Sequence, residues 1–253
     1  MSFYDDLGEK YDNMIRWKAR LVRETPFLQR LFSEHRIKRV LDLACGTGHH
    51  ALMFRKWGCE VVGYDASKAL LDVARENAQE DDNGIQFVEG LFSELGDKVE
   101  GPFDAVLSLG NSIPHLAGVE ELRELFADVH SILRPGGVFV FQNRNYDRLL
   151  KTRERFLLPT THRSHGSEQL YFRFNDFEGD KVRFNIVHFR QVNEGWVHDV
   201  YSTELSPFLH YQLNMELKAA NFAPNDFYGD FSGTPFDAET SPDIVGLARR
   251  SQS

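Results

Sequence analysis

The amino-acid sequence predicts an α/β fold, with a doubly wound sheet and a small antiparallel β cap inserted after the fifth strand. The sheet is predicted because short apolar runs alternate with amphipathic helical segments from residue 39 to residue 143. That order is typical of parallel βαβ units, whose sheet is covered by helices on both faces. The cap is predicted because the pattern changes after Asp147 to an alternation of apolar and polar residues, which is typical of antiparallel strands.

The elements of the sheet follow one another at regular spacing. The first helix is expected at 17–35, where the apolar residues fall mostly on one helical face. Ser67 stands where it can cap the helix that follows the second strand, and the polar loop 80–84 ends that helix. Strands are expected at 39–44, 59–65, 85–90, 103–110 and 136–143, with further helices at 49–57 and 119–133.

The cap is expected at about 150–206. Its alternating pattern runs through 170–205 and is broken at Glu178-Gly179-Asp180 and at Asn193-Glu194-Gly195, which indicates two hairpin turns. A meander of this kind is too thin to be stable alone, so we expect it to pack on the α/β body over the carboxyl ends of the strands. A helix at 207–221 and strands at 224–231 and 243–250 then complete a seven-stranded sheet.

Size and composition restrict the class of protein. The 253 residues, 42% hydrophobic and 26% charged, suit one domain over 1–253 with the cap as an insertion. The net charge of −9 argues against a nucleic-acid partner, which usually binds a basic surface. The amino terminus does not resemble a signal peptide, and no apolar run reaches the ~18 residues of a membrane helix, so no membrane partner is expected. Two cysteines, Cys45 and Cys59, without metal-ligand spacing favour a reducing, cytoplasmic location and no metal.

A glycine-containing loop follows the first strand, in the sequence VLDLACGTG at 40–48. Gly46 and Gly48 allow the backbone to approach a ligand at the carboxyl edge of the sheet, where ligands of open α/β folds bind. Asp65 ends the second strand and is placed to accept hydrogen bonds from both hydroxyls of a ribose. One alternative is that the glycines only form a tight turn between strand and helix. Another is a dinucleotide site, in which Ala51 would take the third glycine position of the dinucleotide-binding motif. However, Asp42 would repel a pyrophosphate, whereas it could accept from an ammonium group.

The same segment resembles the first motif of class I S-adenosylmethionine-dependent methyltransferases. Residues 104–110 and 133–141 resemble the fourth-strand and fifth-strand motifs of that family, so the resemblance covers nearly the whole chain. It implies a Rossmann-like seven-stranded sheet, S-adenosylmethionine as cofactor, S-adenosylhomocysteine as product and no metal. Leu91 stands where many members have Asp, so backbone groups are expected at the adenine edge, with Phe92 either on the ring or in the core. The implied cofactor contacts are Asp42, Ala44, Gly46, Gly48, Asp65, Ala66, Leu91, Phe92 and Leu109.

Two further segments, LGNSIPH at 109–115 and RNYD at 144–147, look like the glycine/sarcosine N-methyltransferase family. In that family the Asn and the Arg of these segments hold the amino acid substrate, which assigns Asn111 and Arg144 here. Both residues leave carboxyl ends of neighbouring core strands, and a guanidinium offers a planar fork to a carboxylate. The alternatives are that Asn111 bonds the adjacent loop and that Arg144 pairs with Asp147 or another acid.

The resemblance extends to both sides of these segments. Arg20 matches a family position that binds the cofactor carboxylate, and Tyr11 is expected to close over the same pocket. His115 lines the acceptor pocket or is a structural histidine. Tyr171 is expected to bind the substrate from the cap, as a single tyrosine where the family has more. The implied reaction is methyl transfer to the amine of glycine, sarcosine or a related amino acid. The alternatives are another small-molecule acceptor at nitrogen or oxygen, a non-catalytic cofactor-binding protein and a nicotinamide-dependent dehydrogenase; the oligomeric state stays open.

Overall fold

The computed structural model describes residues 3–8, 10–79, 84–164, 167–193 and 195–251. Two short helices and a long one precede the sheet, and strands and helices then alternate as predicted. These elements are α1 (Phe3–Leu7), α2 (Lys10–Met14), α3 (Trp17–Glu34), β1 (Arg39–Leu43), α4 (His49–Lys56), β2 (Glu60–Asp65), α5 (Lys68–Gln79), β3 (Gln86–Glu89), α6 (Leu95–Lys98), β4 (Phe103–Ser108), α7 (Val119–Ile132) and β5 (Leu133–Arg144). Ser67 caps α5 as predicted, since its Oγ accepts from the N–H of Leu70 at 3.2 Å. Residues 80–83 of the predicted polar loop lie outside the described residues.

The second half of the chain forms the cap and completes the sheet. Its elements are α8 (Tyr146–Thr152), β6 (Thr160–Ser164), β7 (Ser167–Glu178), β8 (Lys181–Val192), β9 (Gly195–Leu205), α9 (His210–Ala219), β10 (Phe222–Tyr228) and β11 (Asp243–Arg250). Glu178 pairs with Lys181 across the predicted turn, where Gly179 has a φ of +61° that a hairpin of this length favours. In the second predicted turn Glu194 lies outside the described residues, and Val192 pairs with Gly195.

The seven-stranded sheet has the order β10-β11-β5-β4-β1-β2-β3, in which β11 alone runs antiparallel to the other described strands. After β3 the chain returns to the other side of β1 to add β4, so the order reverses at the boundary between β1 and β4. Ligands of doubly wound sheets bind at the carboxyl ends of the strands at this switch point. The sheet topology therefore fixes where the functional site is expected.

The strands bury alternate side chains against two layers of helices. Leu41, Val106 and Phe139 pack on one face with α6, α7 and α9. Val40 and Leu107 pack on the other face, against α3 and α4. Because successive strand residues point to opposite faces, both layers are needed to cover one apolar sheet. The fold is thus α/β and doubly wound, as the sequence predicts.

The cap is a four-stranded antiparallel sheet in the order β6-β7-β8-β9. Its first strand, β6, is not predicted, and its presence enlarges the cap relative to the pattern at 170–205. The cap is tied to the body after β4, where the N–H of Ser206 donates to the carbonyl of Pro114 at 2.7 Å. Helices α1 and α2, also unpredicted, pack under the cap through a cluster that contains Leu7, Met14, Tyr171 and Ile186.

In the part of the chain that the structure describes, no helix is both long and apolar enough to cross a bilayer. Cys45 and Cys59 are both free thiols and are buried.

Candidate active site

A cavity of about 400 Å³ opens at the carboxyl ends of β1, β2 and β4, next to α1 and α2. Most of the predicted cofactor residues come together in its wall, although they are scattered from the amino terminus to the loop after β4. The predicted residues that line it are Tyr11, Arg20, Ala44, Gly46, Asp65, Ala66, Leu91, Phe92, Leu109 and His115.

The loop after β1 reaches the cavity through an unusual backbone conformation. Ala44 has a φ of +62° and Gly46 a φ of +56°, so both lie in the left-handed region. For alanine this conformation costs ~1–2 kcal/mol, and such residues concentrate at functional sites. The turn brings the N–H of Gly46 to Oδ2 of Asp65, at 2.8 Å, which joins the loop to the end of β2.

Asp65 is held at the cavity wall by two backbone donors. Besides Gly46, the N–H of Ser67 donates to Oδ1 of Asp65 at 2.8 Å. Burial raises the pKa of the Asp65 carboxyl, and these backbone hydrogen bonds act in the opposite direction. Each carboxylate oxygen keeps a lone pair for a further donor. A fixed carboxylate with free lone pairs in the cavity fits the two hydroxyls of a ribose.

Two predicted contacts, Asp42 and Gly48, are not among the residues that line either cavity described here. Asp42 is 1% exposed, and burial raises its pKa to about 7. Its Oδ2 has no hydrogen-bond partner among the described residues. Gly48 begins α4 with a φ of +79°, and a Cβ there would stand 3.1 Å from that of Ala74. The start of the helix and the close packing therefore explain why a glycine stands at position 48.

The expected adenine region contains Leu91 and Phe92. The backbone groups of Leu91 are already used, since its N–H donates to Oε2 of Glu94 at 2.8 Å and its carbonyl accepts from Tyr64 Oη at 2.6 Å. The Leu91 side chain is 57% exposed beside the cavity. Phe92 lines the cavity and also packs against the core around α7, so the two alternatives for this ring coexist.

Arg20 of α3 presents an unused donor to the cavity. Its Nε donates to Oε1 of the buried Glu24 at 2.9 Å, and its guanidinium lies 5.0 Å from the ring centroid of Trp17. Its Nη2 is buried and has no partner among the described residues. A Cβ at Gly110 would stand 3.2 Å from this nitrogen, so the glycine gives the guanidinium room. A buried guanidinium nitrogen without a hydrogen-bond partner fits the carboxylate of a methionine moiety.

The amino-terminal helices are attached to this cavity by side chains that contact its loops. Asp12 of α2 accepts from Oγ1 of Thr47 at 2.5 Å and from Nε1 of Trp17 at 2.7 Å. Asp5 of α1 accepts from Oγ of Ser67 at 2.6 Å. These contacts place Tyr11 in the cavity wall, where a Cβ at Gly46 would stand 3.8 Å from its Cε1.

A second cavity of about 310 Å³ adjoins the first and contains the predicted acceptor residues Asn111 and Arg144. The two cavities share wall residues, which are Phe3, Tyr4, Tyr11, Arg20, Gly110 and His115. A molecule in the second cavity therefore lies next to one in the first. Adjacent cavities of this kind allow a group to pass directly between two bound ligands.

The Asn111 side chain is held by its neighbours. Its Oδ1 accepts from the N–H of Arg144 at 2.9 Å, and its Nδ2 donates to Oη of Tyr146 at 3.1 Å. Asn111 also adopts a φ of +69°. These bonds match the alternative in which Asn111 fixes the adjacent backbone, and they connect the ends of β4 and β5 beside the cavity.

The guanidinium of Arg144 is exposed at the second cavity. It makes no hydrogen bond or salt bridge to any residue within the described ranges. Asp147, the acid proposed as its alternative partner, instead accepts from the N–H of His210 at 2.9 Å. Asp243 faces Arg144 across the β5–β11 pair, and the charge of Arg144 lowers the pKa of Asp243 against the larger effect of burial, which raises it.

His115 and Tyr171 differ in their relation to the site. His115 lies where the cavities meet and is hydrogen-bonded to Oη of Tyr4, with 2.9 Å between Nε2 and Oη. Burial lowers the pKa of His115 to about 4, so its ring is neutral at pH 7. Tyr171 is fully buried inside the cap, stacked on His188 with 4.4 Å between ring centroids, and is not among the residues that line either cavity.

Eight polar residues of the second cavity were not predicted from the sequence: Tyr4, Arg23, Glu24, Gln142, Tyr146, Arg173, Asn175 and Asp243. Tyr146 directly follows Arg144 and Asn145, which belong to the segment with the family resemblance. Tyr4 lies in a short helix without a clear apolar period. Arg173 and Asn175 sit two apart in β7, so their shared face follows from the strand pattern. Which face points to the site depends on how the cap docks, and no sequence signal fixes that.

The chain is similar to known methyltransferases. The family described as "Methyltransferase domain" matches residues 40–137. The glycine/sarcosine N-methyltransferase of Aphanothece halophytica is 31% identical over 235 residues, which are 92% of this chain and 84% of that protein. The protein of the same name from Parasynechococcus marenigrum is 36% identical over 149 residues, 59% of this chain and 53% of that one. An S-adenosylmethionine-dependent methyltransferase from Clostridium acetobutylicum shares the fold, with a TM-score of 0.80, 20% identity and coverage of 99% and 100%.

Proposed function

Because the chain belongs to the glycine/sarcosine N-methyltransferase family and is an S-adenosylmethionine-dependent methyltransferase, we propose that it methylates the amine of an amino acid. Glycine, sarcosine or a related amino acid is the acceptor. The bound cofactor supplies an electrophilic methyl group on its sulfonium and leaves as S-adenosylhomocysteine. The observation that carries the proposal is the guanidinium of Arg144, which lies at the second cavity without a salt bridge among the described residues. A free fork beside the methyl donor matches the carboxylate of an amino acid.

The first cavity holds the cofactor in this proposal. Asp65 binds the ribose hydroxyls, and the unpaired Nη2 of Arg20 binds the carboxylate of the methionine part. Tyr11 closes the pocket from α2. The residues shared by the two cavities, Gly110 among them, would lie between the cofactor and the acceptor.

The second cavity holds the acceptor. Arg144 binds the acceptor carboxylate, and Asn111 acts as a positioning residue, because its Oδ1 fixes the backbone N–H of Arg144. Alignment of the amine with the methyl group is the main contribution of the chain, and such alignment can be worth ~7–11 kcal/mol in favourable cases. His115 is too weak a base to take a proton from an ammonium group, since its pKa is lowered to about 4. The amine therefore enters with its lone pair free.

An acceptor screen tests the proposal. Purified protein with S-adenosylmethionine is offered glycine, sarcosine and other amino acids, and in parallel the matching decarboxylated amines. Formation of S-adenosylhomocysteine is the readout. We expect turnover with amino acids and at least tenfold lower kcat/KM with amines that lack the carboxylate, because a charge-assisted bond is worth ~1.5–3 kcal/mol. Equal turnover with and without the carboxylate refutes the proposal and favours an uncharged small-molecule acceptor.

A further inference from the structure

Two side chains of the cap strand β7 carry donors that no described residue accepts from. These donors are Nε of Arg173 and Nδ2 of Asn175, and both atoms are buried. Asn175 as a whole is 4% exposed, and both residues line the second cavity. Being two residues apart on one strand, they face the same side. Buried donors without an acceptor are rare in folded proteins because they lose their hydrogen bonds to water. The pair is therefore suited to an acceptor group supplied by a ligand.

The remaining contacts of this pair leave these donors free. The guanidinium of Arg173 is held at its other end, where Nη2 donates to the carbonyl of Leu158 at 3.3 Å. The backbone N–H of Asn175 donates to the carbonyl of Arg155 at 2.8 Å, which fixes the strand next to the cavity. The strand is thus anchored on its outer side, while the two free donors remain on the cavity side.

The second cavity also carries an excess of positive charge. Among the described residues of its wall, the arginines are Arg20, Arg23, Arg144 and Arg173, and the carboxylates are Glu24 and Asp243. Glu24 is taken by Arg20 and by Nε2 of His50, the latter at 2.7 Å. Burial lowers the pKa of Arg173, and the charge of Arg144 lowers it further. Because the two guanidinium groups repel each other across the cavity, their charges favour a bound anion between them, or one bound anion on each group.

We propose that the acceptor is an amino acid with a second carboxylate, such as aspartate or glutamate. Arg144 binds the carboxylate next to the reacting amine, and Arg173 with Asn175 binds the carboxylate of the side chain. This proposal rests on the proposed function, that the acceptor is an amino acid. Apolar groups of Met14, Leu149 and Phe184 also line the cavity and suit the methylene groups that join the two carboxylates. Glycine has no group that reaches β7.

Kinetics with matched acceptors test this specificity. The wild-type enzyme is assayed for S-adenosylhomocysteine with aspartate against asparagine, glutamate against glutamine, and glycine. Of aspartate and glutamate, we expect the better acceptor to have a kcat/KM about tenfold or more above that of its amide and that of glycine. The amide and glycine each lack one charge-assisted contact, and this factor is what such a loss implies. In Arg173→Gln the preference for the acid over its amide should fall about tenfold, while the kcat/KM for glycine changes little. Arg163→Gln is the control, since Arg163 pairs with Glu168 on the exposed surface of the cap and its side chain is 80% exposed.

The outcomes separate the two proposals. If glycine is turned over and the kcat/KM of both acids is equal to or lower than that of glycine, the proposal of a second carboxylate is overturned. The proposal of amino acid methylation is unaffected by that result. Equal losses for acid, amide and glycine in Arg173→Gln also overturn it, because that pattern indicates a structural residue. No turnover of any amino acid overturns both proposals. Thermal unfolding of each variant checks the fold, and where Arg173→Gln does not fold, Asn175→Ala is assayed for the same loss of acid preference.

Discussion

The backbone N–H of Gly46 donates to Oδ2 of Asp65 over 2.8 Å, which joins the carboxyl ends of β1 and β2. The bond orients the carboxylate and shapes the loop at once. Asp65 therefore has both a structural effect on the loop and the proposed contact with the ribose.

Asp65→Ala is expected to weaken binding of S-adenosylmethionine by about 2–4 kcal/mol, because two charge-assisted hydrogen bonds are lost. Isothermal titration calorimetry measures the change. Asp72→Ala is the control, since Asp72 is an exposed acid of α5 that forms surface salt bridges. Equal cofactor affinity in the Asp65 variant and the wild type would show that the carboxylate does not hold the ribose.

Arg20→Gln is expected to lower cofactor affinity by about 1.5–3 kcal/mol through loss of a bond to the cofactor carboxylate. It also removes one partner of the buried Glu24, so the free energy of unfolding should fall as well. The two effects are separated with S-adenosylmethionine and its decarboxylated analogue. The wild type should prefer the former, and the variant should bind both alike. Lys18→Gln, on the exposed side of α3, should keep the preference. A preference that survives in Arg20→Gln would contradict the assignment.

Arg144→Lys keeps the charge and loses the fork. We expect the KM of the acceptor to rise so that kcat/KM falls about tenfold to a hundredfold, while cofactor affinity stays nearly constant. Arg148→Lys provides the matched control, since Arg148 is a half-buried arginine of α8 that pairs with Glu154. A loss of thermal stability with equal losses in all kinetic constants would instead indicate a structural arginine.

His115 should make stability depend on pH. Its folded pKa is about 4 and its ordinary value is 6.5, so the unfolded state takes up the proton first as the pH falls. The contribution of His115 is therefore complete above about pH 6.5 and is lost as the pH falls towards about 4. Between about pH 7 and pH 5 the wild type should lose roughly 1–2 kcal/mol more than His115→Asn. Urea unfolding of both proteins at the two pH values measures the difference. Parallel losses in the two proteins would show that the ring titrates normally.

The cofactor cavity could be predicted largely from the sequence because its signal is local. The loop at 40–48 and Asp65 are set by strand ends and glycines, and a doubly wound sheet brings them to one edge. Asp42 shows where such reasoning stops. Its place in the motif is clear, but the motif does not predict which way its carboxylate points, because that depends on side-chain packing. The same limit applies to Tyr171, whose ring stacks on His188 inside the cap.

The residues of the acceptor cavity come together through long-range packing, which the alternation of residues along one strand cannot predict. The alternating pattern predicts β7 and β8, yet Arg173 and Arg144 line one cavity only because of how the cap packs on the rest of the chain. Strand β6 was missed because its residues, TTHRS, have no apolar alternation, and it forms by pairing with β7. Helices α1 and α2 have five residues each, too short for a helical period to be evident.

The attachment of α1 and α2 to the loops of the first cavity has a practical consequence for anyone who shortens or fuses this chain. Asp5 and Asp12 bind Ser67 and Thr47, so the segment that carries Tyr4 and Tyr11 is part of the cavity walls. A shortened version that starts at α3 would keep the whole sheet and lose one side of both cavities. Affinity tags and crystallisation fusions therefore belong at the carboxyl end, after β11. This strand starts at the second cavity, where Asp243 pairs with Arg144, and runs away from it, so that Arg249 pairs with Val138.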